Sequence, residues 1–173
     1  MGNCIRIMIV DDHIIVREGL NAVIGLEDDM ELVGEAGDGL EAVEKARELK
    51  PDVILMDLMM PRKDGIEAIN EILRENPEVR ILVLTSFTEI DQILPTIHAG
   101  ALGYIGKNSK PQELLNAIRN VYQGAVYMQP DIARQLFYGL SESSKLKVYP
   151  VDVLTKREIE VLKLVGRGMT NDE

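Results

Sequence analysis

Short apolar runs alternate with longer amphipathic segments along the first 125 residues of the chain. The apolar runs are typical of buried strands and lie at 5–10, 31–36, 52–56, 80–84 and 102–105. The segments between and after them have helical spacing and lie at 14–26, 39–49, 65–75, 88–99 and 111–123. This alternation predicts an α/β fold, a doubly wound five-stranded parallel sheet with helices on both faces.

A second unit is predicted beyond this region. A short helix is expected at 130–139, and the polar stretch at 139–150 is typical of a linker. Thr155 and Glu158 then form a Thr-x-x-Glu capping box before apolar residues at helical spacing. One helix cannot bury its own apolar face, so we expect this unit to be incomplete. The predicted divisions are 1–125 for the α/β domain, 126–153 for a short helix and linker, and 154–173 for the start of an all-α domain.

The composition favours a cytoplasmic protein. The 173 residues are 46% hydrophobic and 28% charged. No apolar run approaches the roughly 20 residues that a membrane-spanning helix needs. The N-terminal residues lack the basic and long apolar regions of a secretory signal. The single cysteine, Cys4, excludes an internal disulfide framework and suits a reducing cytosol. We expect no association with a membrane.

The charge is unevenly distributed along the chain. The net charge is −10; residues 1–139 carry 13 basic and 23 acidic side chains, whereas residues 140–173 carry six of each. A protein that neutralises phosphates needs the opposite sign. The α/β domain is therefore not expected to bind nucleic acid itself.

Carboxylates follow the predicted strands at the point where each strand ends. Asp11 and Asp12 end the first strand, Asp57 ends the third, Thr85 ends the fourth, and Lys107 follows the fifth. The carboxyl ends of parallel strands share one edge of the sheet, where function usually gathers. If these strands are neighbours, the side chains face one another, and three close carboxylates need a compensating charge. Mg²⁺ is the natural candidate, and a carboxylate at this site could attack a phosphoryl group.

Four motifs resemble the signatures of the response-regulator receiver domain of two-component signalling. They are "IMIVDDH", "DVILMDLMMPRKDG", "ILVLTSF" and "GALGYIGK", and their order and spacing match over residues 5–123. The tail "LTKREIEVLKLVGRGMTN" is similar to the first helix of a LuxR-type helix-turn-helix domain. The resemblance to the NarL/FixJ class implies a CheY-like, flavodoxin-like receiver with strand order 2-1-3-4-5.

The resemblance also implies a role for each matching residue. Asp57 would be the phosphoacceptor, exposed at the end of its strand. The magnesium ligands would be Asp11, Asp12, Asp57 and the backbone carbonyl of Met59. Thr85 and Lys107 would contact the phosphoryl group, and Tyr104 would be the aromatic switch residue. The side chains of Met59 and Phe87 would tune the lifetime of the phosphate. Asn108 stands where relatives often have a proline, which leaves the isomer of that peptide bond open.

The resemblance implies a mechanism and partners as well. A sensor histidine kinase would phosphorylate Asp57, and the modified receiver would form a homodimer. Promoter DNA would be a partner of a full-length protein only, because the recognition helix is expected beyond residue 173. The protein would act as a regulator that catalyses only its own phosphotransfer and slow dephosphorylation.

Three alternatives remain open from the residues alone. A haloacid dehalogenase-type phosphatase also uses Mg²⁺ and a nucleophilic aspartate, but it needs an Asp-x-Asp at the first strand. A stand-alone receiver would lack the predicted helix at 155–165. A flavodoxin-like flavin protein would need a loop rich in Ser, Thr and Gly after the first strand, where this chain has "DDHIIV".

Overall fold

The computed structural model describes residues 4–86 and 92–143, which form one alternating α/β unit. Its strands are β1 Ile5–Val10, β2 Met30–Ala36, β3 Val53–Asp57, β4 Arg80–Thr85, β5 Gly103–Gly106 and β6 Tyr127–Met128. Its helices are α1 Ile14–Ile24, α2 Gly39–Leu49, α3 Gly65–Glu75, α4 Ile93–Ala99, α5 Pro111–Tyr122 and α6 Pro130–Ser143.

The strands form one parallel sheet with the order β2-β1-β3-β4-β5-β6. The predicted order of the first five strands is confirmed, but the predicted count of five is wrong. The sixth strand has only two residues, Tyr127 and Met128, which pair with Gly103 and Tyr104 at the β5 edge. Two residues are too few to produce an apolar run or an alternating pattern, so the sequence held no signal for this strand.

Two buried layers hold the helices against the sheet. One layer includes side chains of α2, α3, α4 and α6, such as Val43, Ile69, Ile97 and Ile132. The other layer lies on the opposite face, where residues of α1 and α5 such as Ile24 and Ile118 are fully buried. All five residues of β3 are buried, as expected for a central strand covered on both faces.

Local capping interactions begin several helices near the functional edge of the sheet. The Asp38 carboxylate accepts hydrogen bonds from the backbone N–H groups of Leu40 and Glu41 at the start of α2. The Asp64 carboxylate accepts one from Glu67 at the start of α3. Each cap satisfies N–H groups that have no partner within the helix. Pro111 occupies the first turn of α5, where its missing N–H costs nothing.

The C-terminal elements differ in part from their predicted bounds. Helix α6 continues to Ser143, so the first residues of the predicted linker are helical. The predicted helix-turn-helix segment at 154–173 lies outside the described residues, as do residues 87–91 before α4. Among the described helices, none is long and apolar enough to cross a membrane.

Candidate phosphoacceptor site

The carboxyl ends of β1, β3, β4 and β5 bring together most of the residues predicted from sequence. Strand β1 pairs with β3, β3 with β4, and β4 with β5, so Asp11, Asp57, Thr85 and Lys107 follow one another across the same edge. The Lys107 backbone N–H donates to the Thr85 carbonyl oxygen at 2.9 Å, which extends the pairing of β5 with β4 by one residue. The predicted grouping at this edge is therefore present.

Lys107 bridges the two buried carboxylates of the site. Its Nζ lies 3.0 Å from Asp11 Oδ2 and 2.9 Å from Asp57 Oδ2. Burial of Lys107 favours its neutral form, but the hydrogen bonds that it donates to Asp57 and Asp11 outweigh burial and raise the pKa of Lys107 above its ordinary value. The lysine is therefore a cation at neutral pH and supplies countercharge to both carboxylates.

Asp57 is buried rather than exposed, which corrects the expectation from sequence. Asp57 is 1% exposed and Asp11 0%. One oxygen of Asp57, Oδ1, accepts a hydrogen bond of 2.8 Å from the Leu58 backbone N–H. The other, Oδ2, faces Lys107. The sequence could place Asp57 at the strand end but could not show how closely the neighbouring loops cover it.

His13 contacts the carboxylates of Asp11 and Asp12, which the sequence did not predict. Its backbone N–H donates to Asp11 Oδ1 at 2.8 Å. Its Nδ1 lies 3.1 Å from the same oxygen and 2.8 Å from Asp12 Oδ1. The signal was present as the third letter of "DDH", directly after the two acids. The histidine holds the two carboxylates in place from the solvent side, where its side chain is 66% exposed.

The acidic cluster suits a divalent cation. Asp11, Asp12, His13 and Asp57 each offer a ligand atom, and these atoms lie within 4.8 Å of one another. Three of the four are carboxylate oxygens, the donors that Mg²⁺ prefers, whereas an imidazole nitrogen suits softer metals. The donor set therefore fits the predicted Mg²⁺ through Asp11, Asp12 and Asp57.

Contacts outside the cluster hold its loops in position. Arg17 in α1 donates from Nη1 to the Asp11 carbonyl oxygen at 2.6 Å and from Nε to Glu35 at 3.1 Å. This ties the loop after β1 to the end of β2. Asp38, which is fully buried, forms an ion pair with Arg62 in the loop after β3. The contacts of Arg17 and the Asp38–Arg62 ion pair therefore link the loops that follow β1, β2 and β3.

Close backbone packing fixes the loop between β3 and α3. The Gly65 N–H donates to the Leu58 carbonyl oxygen at 2.9 Å, and a Cβ atom at Gly65 would overlap the Asp57 carbonyl oxygen. Met59 lies in this loop with a 58% exposed side chain. The role of its backbone carbonyl as a metal ligand stays a prediction.

The predicted switch residues are buried near the site. Thr85 is 3% exposed, and its hydroxyl donates to the Ser86 carbonyl oxygen at 2.9 Å. Tyr104 is fully buried within the layer that contains α4 and α6. The Lys107–Asn108 peptide bond is trans, since no described residue has a cis peptide. Phe87 lies outside the described residues.

Comparisons with known proteins agree with this arrangement. Residues 7–119 match the family model of the response regulator receiver domain. The transcriptional regulatory protein LiaR of Bacillus subtilis is 46% identical over 169 residues, which cover 98% of this chain and 80% of LiaR. The response regulator protein VraR of Staphylococcus epidermidis is 36% identical, with coverages of 98% and 79%.

A solved structure gives the same answer for the fold. The crystal structure of a LuxR-family two-component response regulator from Aurantimonas sp. SI85-9A1 superposes with a TM-score of 0.75 at 40% identity, covering 80% of this chain and 99% of that one. The match to the receiver-domain family argues against a haloacid dehalogenase-type phosphatase and against a flavodoxin-like flavin protein. The chain belongs to the response regulators of two-component signalling, in the LuxR-type class.

Proposed function

We propose that this chain is a cytoplasmic response regulator whose Asp57 accepts a phosphoryl group from a sensor histidine kinase and whose modified state controls transcription. The observation that carries the proposal is the position of Lys107 Nζ between Asp11 Oδ2 and Asp57 Oδ2. A structural ion pair would need one carboxylate. Two buried carboxylates around one lysine leave a negative site that can accept a cation and then a phosphoryl group.

The contacts of Asp57 support Oδ2 as its reacting oxygen. Oδ1 is engaged by the Leu58 backbone N–H, whereas Oδ2 faces Lys107 and the acidic cluster. Oδ2 would attack phosphorus and form the acyl phosphate bond, while the bond from phosphorus to the donor breaks and its electron pair leaves with the donor. Lys107 would then neutralise a phosphoryl oxygen, which lowers the barrier because phosphoryl transfer depends mainly on positioning and charge.

The ligands of Mg²⁺ would be the carboxylates of Asp11, Asp12 and Asp57 and the backbone carbonyl of Met59. The ion supplies positive charge next to the phosphoryl oxygens. Asp11 keeps its position through the His13 backbone N–H, and the loop after β1 is held by Arg17. These contacts keep the carboxylates together before any cation arrives.

The switch would act through Thr85 and Tyr104. The Thr85 hydroxyl now donates to the Ser86 carbonyl, and a phosphoryl oxygen on Asp57 would be a stronger, charged acceptor. Movement of Thr85 would change the packing around the buried ring of Tyr104 and so bias a two-state equilibrium. Met59, with its exposed side chain, and Phe87 would control the access of water to the phosphate.

The output would be dimerisation and DNA binding. A homodimer would present two helix-turn-helix domains to paired half-sites of promoter DNA, and only a chain that includes the recognition helix would bind specifically. The names of the relatives LiaR and VraR, a transcriptional regulatory protein and a response regulator, support this function.

Beryllofluoride with Mg²⁺ tests the proposal, because it mimics a phosphoryl group on a carboxylate. The wild-type chain is expected to shift from monomer toward dimer in sedimentation velocity when both are added. Asp57→Ala should remain a monomer under the same conditions. Asp28→Ala, which alters an exposed aspartate at the opposite end of the sheet, is the matched control and should dimerise. A shift in Asp57→Ala equal to that of the wild type would show that Asp57 is not the acceptor.

A further inference from the structure

Gln129, between β6 and α6, holds the loop that contains Lys107. Its Oε1 accepts a hydrogen bond of 2.7 Å from the Gly106 backbone N–H. Its Nε2 donates to Ser109 Oγ at 2.8 Å and to Glu113 Oε2 at 3.2 Å. The two ends of this side-chain amide are thus bonded to residues on both sides of Lys107. No family motif in the sequence pointed to Gln129.

The loop is shaped to receive this side chain. The Ser109 hydroxyl donates back to the Gly106 carbonyl at 2.6 Å and closes a tight turn around Lys107. A Cβ atom at Gly106 would lie 2.7 Å from Asn108 Oδ1 and 3.2 Å from Gln129 Oε1. A side chain at position 106 would therefore crowd the amide of Gln129. The glycine lets the glutamine approach the backbone of the loop closely.

Gln129 also fixes the start of helix α6. Its backbone N–H donates to the Tyr104 carbonyl at 3.3 Å, and its carbonyl accepts the first helical hydrogen bond from Ala133 at 2.9 Å. One turn and two turns further on, Ile132 and Leu136 are 2% and 5% exposed in the buried layer that also contains Tyr104. Helix α6 is thus attached to the receiver at Gln129 and along its apolar face.

We propose that Gln129 is a positioning residue that ties the Lys107 loop to α6, so that a change at the phosphoacceptor site moves this helix. The inference rests on the proposed roles of Asp57 and Lys107. A glutamine that served only to begin a helix would direct its side chain at the N–H groups of that helix. Here the whole amide is bonded to Gly106, Ser109 and Glu113, 16 to 23 residues earlier in the chain.

The test compares hydrogen exchange of the 173-residue chain with and without beryllofluoride and Mg²⁺. In the wild type, addition should change the exchange of backbone amides both around Thr85 and in α6. In Gln129→Met, which keeps the length but loses the hydrogen bonds, the change around Thr85 should remain and the change in α6 should be lost. Dimerisation should weaken by about fivefold, as expected for the loss of hydrogen bonds with a net value of about 1 kcal/mol. Gln112→Met, in the exposed first turn of α5, is the control and should behave as the wild type.

Exchanging the amide at position 129 with the carboxylate at position 113 distinguishes a loss of the link between the Lys107 loop and α6 from a general loss of stability. Gln129→Glu should weaken the coupling, because a carboxylate cannot donate to Ser109 and is repelled by Glu113. Adding Glu113→Gln to this variant restores an amide donor between positions 113 and 129. The double variant should therefore recover part of the change in hydrogen exchange of α6. If Gln129→Met does not fold, Ser109→Ala removes one of the same bonds and should reduce the α6 response.

The outcomes distinguish this inference from the proposed function. An α6 response in Gln129→Met that equals the wild-type response would overturn the inference while leaving the role of Asp57 intact. The inference would also be overturned if the wild type changed its hydrogen exchange around Thr85 but not in α6. A wild-type chain without any response that depends on Asp57 would overturn the proposed function, and this inference with it.

Discussion

Lys107→Met is expected to destabilise the protein in the absence of divalent cations. The substitution keeps most of the aliphatic length of the side chain and removes the ammonium group that lies about equally close to Asp11 and Asp57. Both carboxylates are almost completely buried, so water can replace the lost partner only in part.

The magnitude follows from burial and geometry. Breaking a buried ion pair by removal of one partner costs about 3–5 kcal/mol. Lys107 itself is 21% exposed, so water can partly replace its ammonium group, and we discount the loss to about 2–3 kcal/mol. For a domain of this size that corresponds to a fall in Tm of about 4–12 °C.

Thermal unfolding followed by circular dichroism at pH 7 measures the effect. In a chelator, Lys107→Met should melt below the wild type by the amount above. Mg²⁺ should then raise the Tm of the variant by more than it raises that of the wild type, because the cation no longer competes with the lysine for Asp11 and Asp57. Lys110→Met, an exposed lysine on the same loop, is the control and should melt as the wild type. Equal Tm values for Lys107→Met and the wild type in chelator would refute the view that Lys107 is the countercharge of the site.

Two further predictions concern stability. Gly65→Ala should lower the free energy of unfolding by about 2 kcal/mol or more, because the added Cβ overlaps the Asp57 carbonyl oxygen. Gly19→Ala, in open space on α1, should instead raise the free energy of unfolding by about 0.5–1 kcal/mol. Urea unfolding of the two variants and the wild type measures both effects. Hydrogen bonds from Arg119 lower the pKa of Asp29, so their stabilisation is present above the unfolded pKa and is lost as the pH falls through the folded value. Arg119→Met should therefore lower the free energy of unfolding by up to about 1 kcal/mol at pH 6 and by progressively less below pH ~4. Arg134→Met is the control: Arg134 lies 3.7 Å from Asp131 in an exposed pair, and its loss should show no such pH dependence.

The local pattern of the sequence was sufficient for most of the fold. Apolar runs and helical periods identified five strands and five helices, and α2 and α3 begin and end at the predicted residues. Helix bounds follow from nearby signals such as the Asp38 and Asp64 caps, which act within one turn. The two-residue strand β6 was missed because it depends on pairing with β5 rather than on a local period, and α6 continues past its predicted end at residue 139.

The sequence alone determined which residues meet at the functional edge. Asp11, Asp57, Thr85 and Lys107 each end or follow a strand, and parallel strands present their carboxyl ends on one side of the sheet. Their proximity also required these strands to be neighbours, which the resemblance to receiver domains implied and the strand order confirms. Only the tertiary structure decided that Asp57 is buried, that one lysine serves two carboxylates, and that Gln129 holds the lysine loop. These features join residues 20 or more positions apart through distances of about 3 Å, and burial and pairing at that range depend on how the loops pack, which no local pattern of apolar and polar residues encodes.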